Sequence, residues 1–213
     1  MPSISKSKLS LLVPLAFSII GVGASVTPAF AQTTFDYSAI FDGITDRSVI
    51  PPDINELDYA GESNDALLGL NQLNALLYSE VDGVTGEAVL TTDPSLFGVD
   101  RPIGSFVLEG NGSDKLFATV DSTGLVNFET GLESLDGTVN ITGGEGRFAG
   151  AQGSLSLGGT VVIDLEPNVP EPTQIVLNGS FTVPKSVPEP GSLVTFIALG
   201  VTGAGAMFKR HLV

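Results

Sequence analysis

The chain has 213 residues, with 24 acidic and 9 basic side chains, a formal charge of −15, no cysteine, no tryptophan and a single histidine. These counts exclude disulfides, and because the histidine is His211 near the C-terminus, residues before it cannot build Cys–His pairs, Ser–His triads or histidine-ligated zinc. So acidic a surface repels phosphates and anionic headgroups, so no nucleic acid is expected as a partner.

At the N-terminus, Lys6 and Lys8 form a basic region and Leu9 to Val22 an apolar one. Ala29-Phe30-Ala31 then supplies the small-x-small pattern of a secretory signal peptide, so residues 1–31 read as a signal helix with cleavage before Gln32. The implied partners are the Sec translocon and signal peptidase. An uncleaved anchor is the competing reading, and the short apolar core argues against it.

Residues 32–186 are expected to form one acidic domain. Removing Lys6, Lys8, Lys209 and Arg210 leaves 5 basic residues there, and removing Glu189 leaves 23 acids, a net of −18. Phe35, Tyr37, Ala39 and Phe41 share one face of a strand over 33–41, closed by Asp42-Gly43. Residues 44–66, with Pro51-Pro52 and many acids, read as a long surface loop. The leucines between 67 and 77 fit helical spacing, but a short helix or irregular turn near 64–70 followed by a strand over 73–80 is preferred.

Turn chemistry then recurs. Asp82-Gly83 and Gly86 precede a strand over 87–92, and Asp93-Pro94 with Gly98 mark a turn. Strands over 104–109 and 115–121 flank Asn111-Gly112, a hairpin signal. Ser122-Thr123-Gly124 is expected to turn into a strand over 125–129, with later strands over 134–142, 153–165 (bent at Gly158-Gly159) and 174–183. Gly143-Gly144 reads as a tight turn with φ > 0, and Phe148 as a plug in the core. Eight or nine short strands imply an all-β fold, a single antiparallel β-barrel of about eight strands in preference to a sandwich. Closure answers the exposed-edge problem in a domain with few edge lysines.

Residue spacing bears on several chemistries. Ile141 to Gly153 is glycine-rich but matches neither GxGxxG nor a P-loop and precedes a strand. Asp42, Asp82, Asp114 and Asp136 sit at turn signals without the ligand spacing of an EF-hand. Paired carboxylates for glycoside hydrolysis are available, but sequence cannot give their separation. The sequons at Asn111, Asn140 and Asn178 read as turn chemistry. Neither metal, cofactor nor catalytic residue is assigned.

The C-terminal segment, 187–213, has three parts. Val187-Pro188-Glu189-Pro190 leads into a 17-residue uncharged run, Ser192 to Phe208, followed by Lys209-Arg210. As a helix the run spans ~25 Å, within the usable range for a bilayer, with the basic end on the cytoplasmic side. This tripartite pattern resembles the PEP-CTERM sorting signal, which implies processing by an exosortase. Val169-Pro170-Glu171-Pro172 repeats the tetrapeptide, but a mixed polar and apolar stretch follows it, so this copy reads as a strand connector.

Within the domain, Gly143-Gly144-Glu145-Gly146-Arg147-Phe148-Ala149-Gly150-Ala151-Gln152-Gly153 resembles the GGTGxF-x-x-A-x-G segment of the allene oxide cyclase and dirigent barrels. That likeness implies a calycin-type barrel and carries over no activity. The expectation is an exported, non-catalytic envelope or matrix protein, anchored transiently by its C-terminal transmembrane helix and then at the cell surface or outside, with exopolysaccharide a candidate partner. The alternative is a barrel that binds a small molecule or glycan, and after it a cyclase- or isomerase-type enzyme.

Overall fold

A computed structural model describes residues 31–164 and 169–185. These form nine strands: β1 (Ala31–Ile50), β2 (Ile54–Glu62), β3 (Gln72–Val81), β4 (Glu87–Thr91), β5 (Ser105–Glu109), β6 (Lys115–Asn127), β7 (Leu132–Glu145), β8 (Gln152–Val162) and β9 (Glu171–Lys185). All pairings are antiparallel and belong to one sheet, in the order β2-β1-β9-β8-β7-β6-β4-β3-β5. β3 also pairs with β2, so eight of the strands close into a ring. The ninth, β5, lies in line with β4: β3 and β6 pair with β4 over Tyr78–Val81 and Asp121–Leu125, and with β5 over Leu76–Gln72 and Ala118–Lys115. Closure gives the backbone partners on both sides that an open sheet lacks at its edges.

Alternation decides which residues face inward. On β1 the face expected from sequence is the buried one, with Tyr37, Ala39 and Phe41 at 2% exposure or less and Phe35 packed against the same cluster. The main core joins these to Leu73, Leu90, Phe106, Val120, Val139, Leu155 and Leu177, contributed by strands from every side of the ring. A second cluster lies outside it, where Ile50, Ile54 and Tyr78 are covered by Phe97 and Val99 of the β4–β5 connection. Tyr78 Oη donates to the Pro102 carbonyl at 2.9 Å and so ties that connection down.

Four local expectations are corrected. Residues 44–66 are mostly strand: β1 runs on to Ile50 and β2 returns antiparallel to it, with a cis Pro51-Pro52 peptide bond between. Their outward acids, Asp46 and Asp58, and their polar inward residues, Thr45 and Arg47, hide the apolar alternation. Ser122-Thr123-Gly124 is not a turn, because β6 passes straight through to Asn127. The turn follows there, with Asn127 Oδ1 accepting from the N–H groups of Glu129 and Thr130. Gly143 and Gly144 lie inside β7, and the positive φ belongs to Gly146 at 62°. The strand expected over 174–183 begins earlier, at Glu171, so the connector expected at 169–172 is partly strand. By contrast, Leu67–Gly69 is a 3-10 turn before β3, in keeping with the short helix or turn expected near 64–70.

Candidate functional site

The two ends of the ring differ. The chain enters β1 and leaves β9 side by side, with Ala31 opposite Lys185. The connections β2–β3, β5–β6 and β7–β8 sit at this same end, and the opposite end carries β1–β2, β3–β4, β6–β7 and β8–β9.

The termini end is closed. Phe148 is fully buried and meets Phe35 edge-on at 5.7 Å and Phe181 at 5.5 Å, while Phe35 and Phe181 stack at 5.5 Å. Arg147 ties the three connections together. Its backbone N–H donates to Asp114 Oδ1 at 2.8 Å, its Nε to Asp114 Oδ2 at 2.7 Å and its Nη2 to the Leu68 carbonyl at 2.9 Å. The same guanidinium lies 5.1 Å from the Phe148 ring centroid. These hydrogen bonds hold the Asp114 carboxyl below its usual range, the backbone bond from Arg147 first. Gly144 has to be glycine, since a Cβ there would run into the carbonyls of Phe148 and Lys115. Beneath this plug, Tyr37 Oη donates to the Leu70 carbonyl at 2.9 Å, and burial, with the nearby Asp65 charge, pushes its pKa up. Asp65 takes the place of a missing strand partner by accepting from the Ile40 N–H at 2.9 Å. That bond and one from Ser63 pull its carboxyl down. The glycine-rich segment is therefore the closing device of this end, with Phe148 the plug expected from sequence.

The far end is polar inside. Arg47 on β1 donates from Nε to both oxygens of Glu171 on β9, at 3.1 and 3.3 Å, and from Nη2 at 3.0 Å. The same Nη2 stands 3.8 Å from Glu133 Oε2 on β7, an ion-pair distance beyond hydrogen-bond reach. Both carboxylates are withdrawn from solvent, Glu171 at 1% exposure and Glu133 at 4%. Beside them Thr173 Oγ1 donates to the Glu171 carbonyl at 3.0 Å, which leaves Thr45 as the donor in their 2.8 Å contact. Gly124 makes room for Glu133, since a Cβ there would stand 2.5 Å from its Oε1.

One guanidinium between two buried carboxylates leaves an excess negative charge when both are ionised. Burial raises the Glu133 pKa, Arg47 opposes that, and Glu171 adds to it. Burial thus favours the protonated form of Glu133, which can donate a hydrogen bond as well as accept one. Among the described residues no group of three or more Asp, Glu, His or Cys is arranged to hold a metal ion.

None of these three residues was singled out from sequence. Arg47 is one of only five basic residues in 32–186 and falls in phase with Phe35 to Thr45, which was the available signal. Glu171 lies in the repeated tetrapeptide, where it is an interior ion-pair member and not an exposed motif residue. Of the residues expected to carry sorting and processing, Ala31 and Gln32 open β1, opposite Lys185 and Pro184. Ala29, Val187, Pro188, Glu189, Pro190, Lys209 and Arg210 lie outside the described residues. Among the described residues no helix is long and apolar enough to cross a membrane, and the expected C-terminal span also lies outside them.

Fold and site together define an all-β protein with one closed antiparallel ring, plugged at the end where its termini meet and charged inside at the other. No family model, no curated protein and no solved structure matches the chain.

Proposed function

We propose that this chain is an exported envelope protein, addressed by an N-terminal signal peptide and a C-terminal PEP-CTERM signal, whose domain is a calycin-type barrel with a structural, non-catalytic role. The sequence of the tail is the observation that carries the reading: Pro188-Glu189-Pro190, the uncharged run and Lys209-Arg210 occur together and in order. The pairing of Ala31 with Lys185 supports it, because both addresses then attach at one end of the domain. Residues 186–191, six in number, reach at most ~20 Å when fully extended. While anchored, the domain would stand with its plugged end within that distance of the membrane and its polar end outward.

The test replaces each proline-flanked glutamate in a host that has an exosortase. Alanines at Pro188, Glu189 and Pro190 should disturb localisation without lowering stability. Alanines at Pro170, Glu171 and Pro172 should lower stability, because Glu171 is the buried partner of Arg47. Unchanged localisation of the first variant would sink the proposal, as would N-terminal sequencing of exported protein that finds Met1 in place of Gln32.

A second reading, a barrel that takes a small molecule or glycan at its polar end, is favoured by Glu133, a buried carboxyl without a hydrogen-bond donor from Arg47. A cyclase- or isomerase-type enzyme stands behind it, with Glu133 as the acid–base group it would need.

A further inference from the structure

β9 pairs with β1 from Ala31 to Thr45, whereas β2 meets it only from Asp42 to Ile50. Among the described residues no strand lies beside 31–41 on the β2 side. The Ile40 N–H points to that side, since it donates to Asp65 Oδ1 at 2.9 Å. Alternate residues of a strand aim their N–H and C=O groups the same way, so those of Gln32, Thr34, Asp36 and Ser38 face the gap too. The β1–β9 ladder has no register shift, and the alternation therefore holds along the whole run. The 63–71 connection does not fill the gap as a strand. It turns in beneath the plug, where Leu70 is fully buried and its carbonyl accepts from the Tyr37 hydroxyl.

Free edges of this kind are ordinarily blunted by lysine, proline or a bulge. Residues 32–38 contain none of these and a single charge, Asp36. Two threonines, Phe35 and Tyr37 make the run a good strand former, ~24 Å long. It ends sharply at Asp65, whose carboxylate already holds the next N–H that faces the gap, that of Ile40. The run is thus a ready template for one more strand, of fixed length.

The same residues of a second copy, laid antiparallel, fit that template in one register. With Asp36 opposite Asp36 of the copy, like charges meet directly, and Ile40 would need the bond that Asp65 already supplies. With Thr34 opposite Thr34, Ser38 would need a residue that a chain beginning at Gln32 lacks. With Phe35 at the two-fold axis, Gln32 meets Ser38 and Thr34 meets Asp36, and no charge opposes another. That register makes four hydrogen-bonded pairs and about eight hydrogen bonds, and both strands end together. Half-buried Phe35 then meets Phe35 of the copy at the centre. Asp65 takes its bonds from Ile40 and Ser63 on Oδ1, which leaves Oδ2 for the α-ammonium that Gln32 of the copy brings to this end.

We propose that residues 32–38 of β1 pair with the same residues of a second copy, antiparallel and two-fold about Phe35, joining the two sheets edge to edge. The pairing rests on the export reading for its start at Gln32. Exported protein, purified in neutral detergent and sequenced at its N-terminus, is followed by sedimentation equilibrium. A reversible dimer of roughly micromolar Kd is expected, because so short a run makes a small interface. Thr34→Pro removes a donor that faces the gap and spares the β9 ladder, so it should abolish the dimer. Thr34→Asp sets an acid against Asp36 of the copy at two symmetric places and should weaken the dimer about fivefold, whereas Thr34→Lys should tighten it about as much. That charge pair decides the matter should the proline unfold the strand. The chain has no cysteine, so introduced thiols read the register. Thr34→Cys protein mixed with Asp36→Cys protein should oxidise to the mixed disulfide dimer in preference to either homodimer. A monomer at every concentration, a dimer indifferent to the Thr34 variants, or homodimeric cross-links in preference to mixed ones overturns the proposal. With Gln32 found at the N-terminus, any of these results sinks the pairing alone. Met1 there sinks the export reading and the pairing with it, since the register requires a chain that starts at Gln32.

Discussion

Replacing Arg47 by methionine tests whether the polar end is a charge-balanced unit. The change removes all three hydrogen bonds to Glu171 and the cation that faces Glu133, while both carboxyls start at 4% exposure or less. Breaking a buried pair from one side costs about 3–5 kcal/mol, and the 18% exposure of Arg47 argues for the lower end of that range. At roughly 2–4 °C per kcal/mol, the melting temperature should fall by about 6–12 °C. Circular dichroism melts at pH 7.5 and pH 5 measure it. The sign with pH follows from Glu133, whose pKa is raised in the folded state by burial first, with Arg47 opposing. A raised folded pKa means stability that is fully present below the unfolded value and lost as pH rises through the folded one. Without Arg47 the raising causes act unopposed, so the variant should lose more stability above that window and recover part of it on acidification. Glu133→Gln in the native background should flatten the wild-type pH dependence in the same range. An Arg47→Met protein within ~1 kcal/mol of wild type at pH 7.5 would refute the reasoning, and so would a gap that widens at pH 5.

Phe148→Ala empties the plug between Phe35 and Phe181 and should cost about 3–5 kcal/mol in urea unfolding, with the midpoint shifted at constant slope. Gly144→Ala forces a methyl against two carbonyls at the same end and should cost about 1–3 kcal/mol, measured in the same titration. Tyr78→Phe removes the bond to Pro102 and should cost ~1 kcal/mol, with protease cutting the 93–104 connection sooner than in wild type.

Where one residue of a strand is apolar and the next polar, the sequence was readable. Phe35 to Phe41 alternates over solvent and core, and its inward set is the buried set. The turns at Asp82 and Asp93 were legible because the aspartates bond backbone N–H groups within three residues, Val84 and Thr85 in one case and Ser95 in the other. Local rules failed where the interior itself is polar. Thr45, Arg47, Glu133 and Glu171 face inward at the far end, so the strands that carry them look like loop or connector when read by hydropathy. Gly124 failed for a related reason: it resembles a turn glycine, yet its purpose is to leave space for a carboxyl on the neighbouring strand.

By itself the sequence determined the all-β character, most strand positions and the plug at Phe148, because alternation and turn chemistry act over a few residues. It also held the signal-like ends, which are patterns of composition along the chain. Tertiary structure alone decided that Ala31 meets Lys185, and that Arg47, Glu133 and Glu171 converge. Each of these joins residues separated by tens to more than a hundred positions, and strand register sets such contacts where no local pattern can.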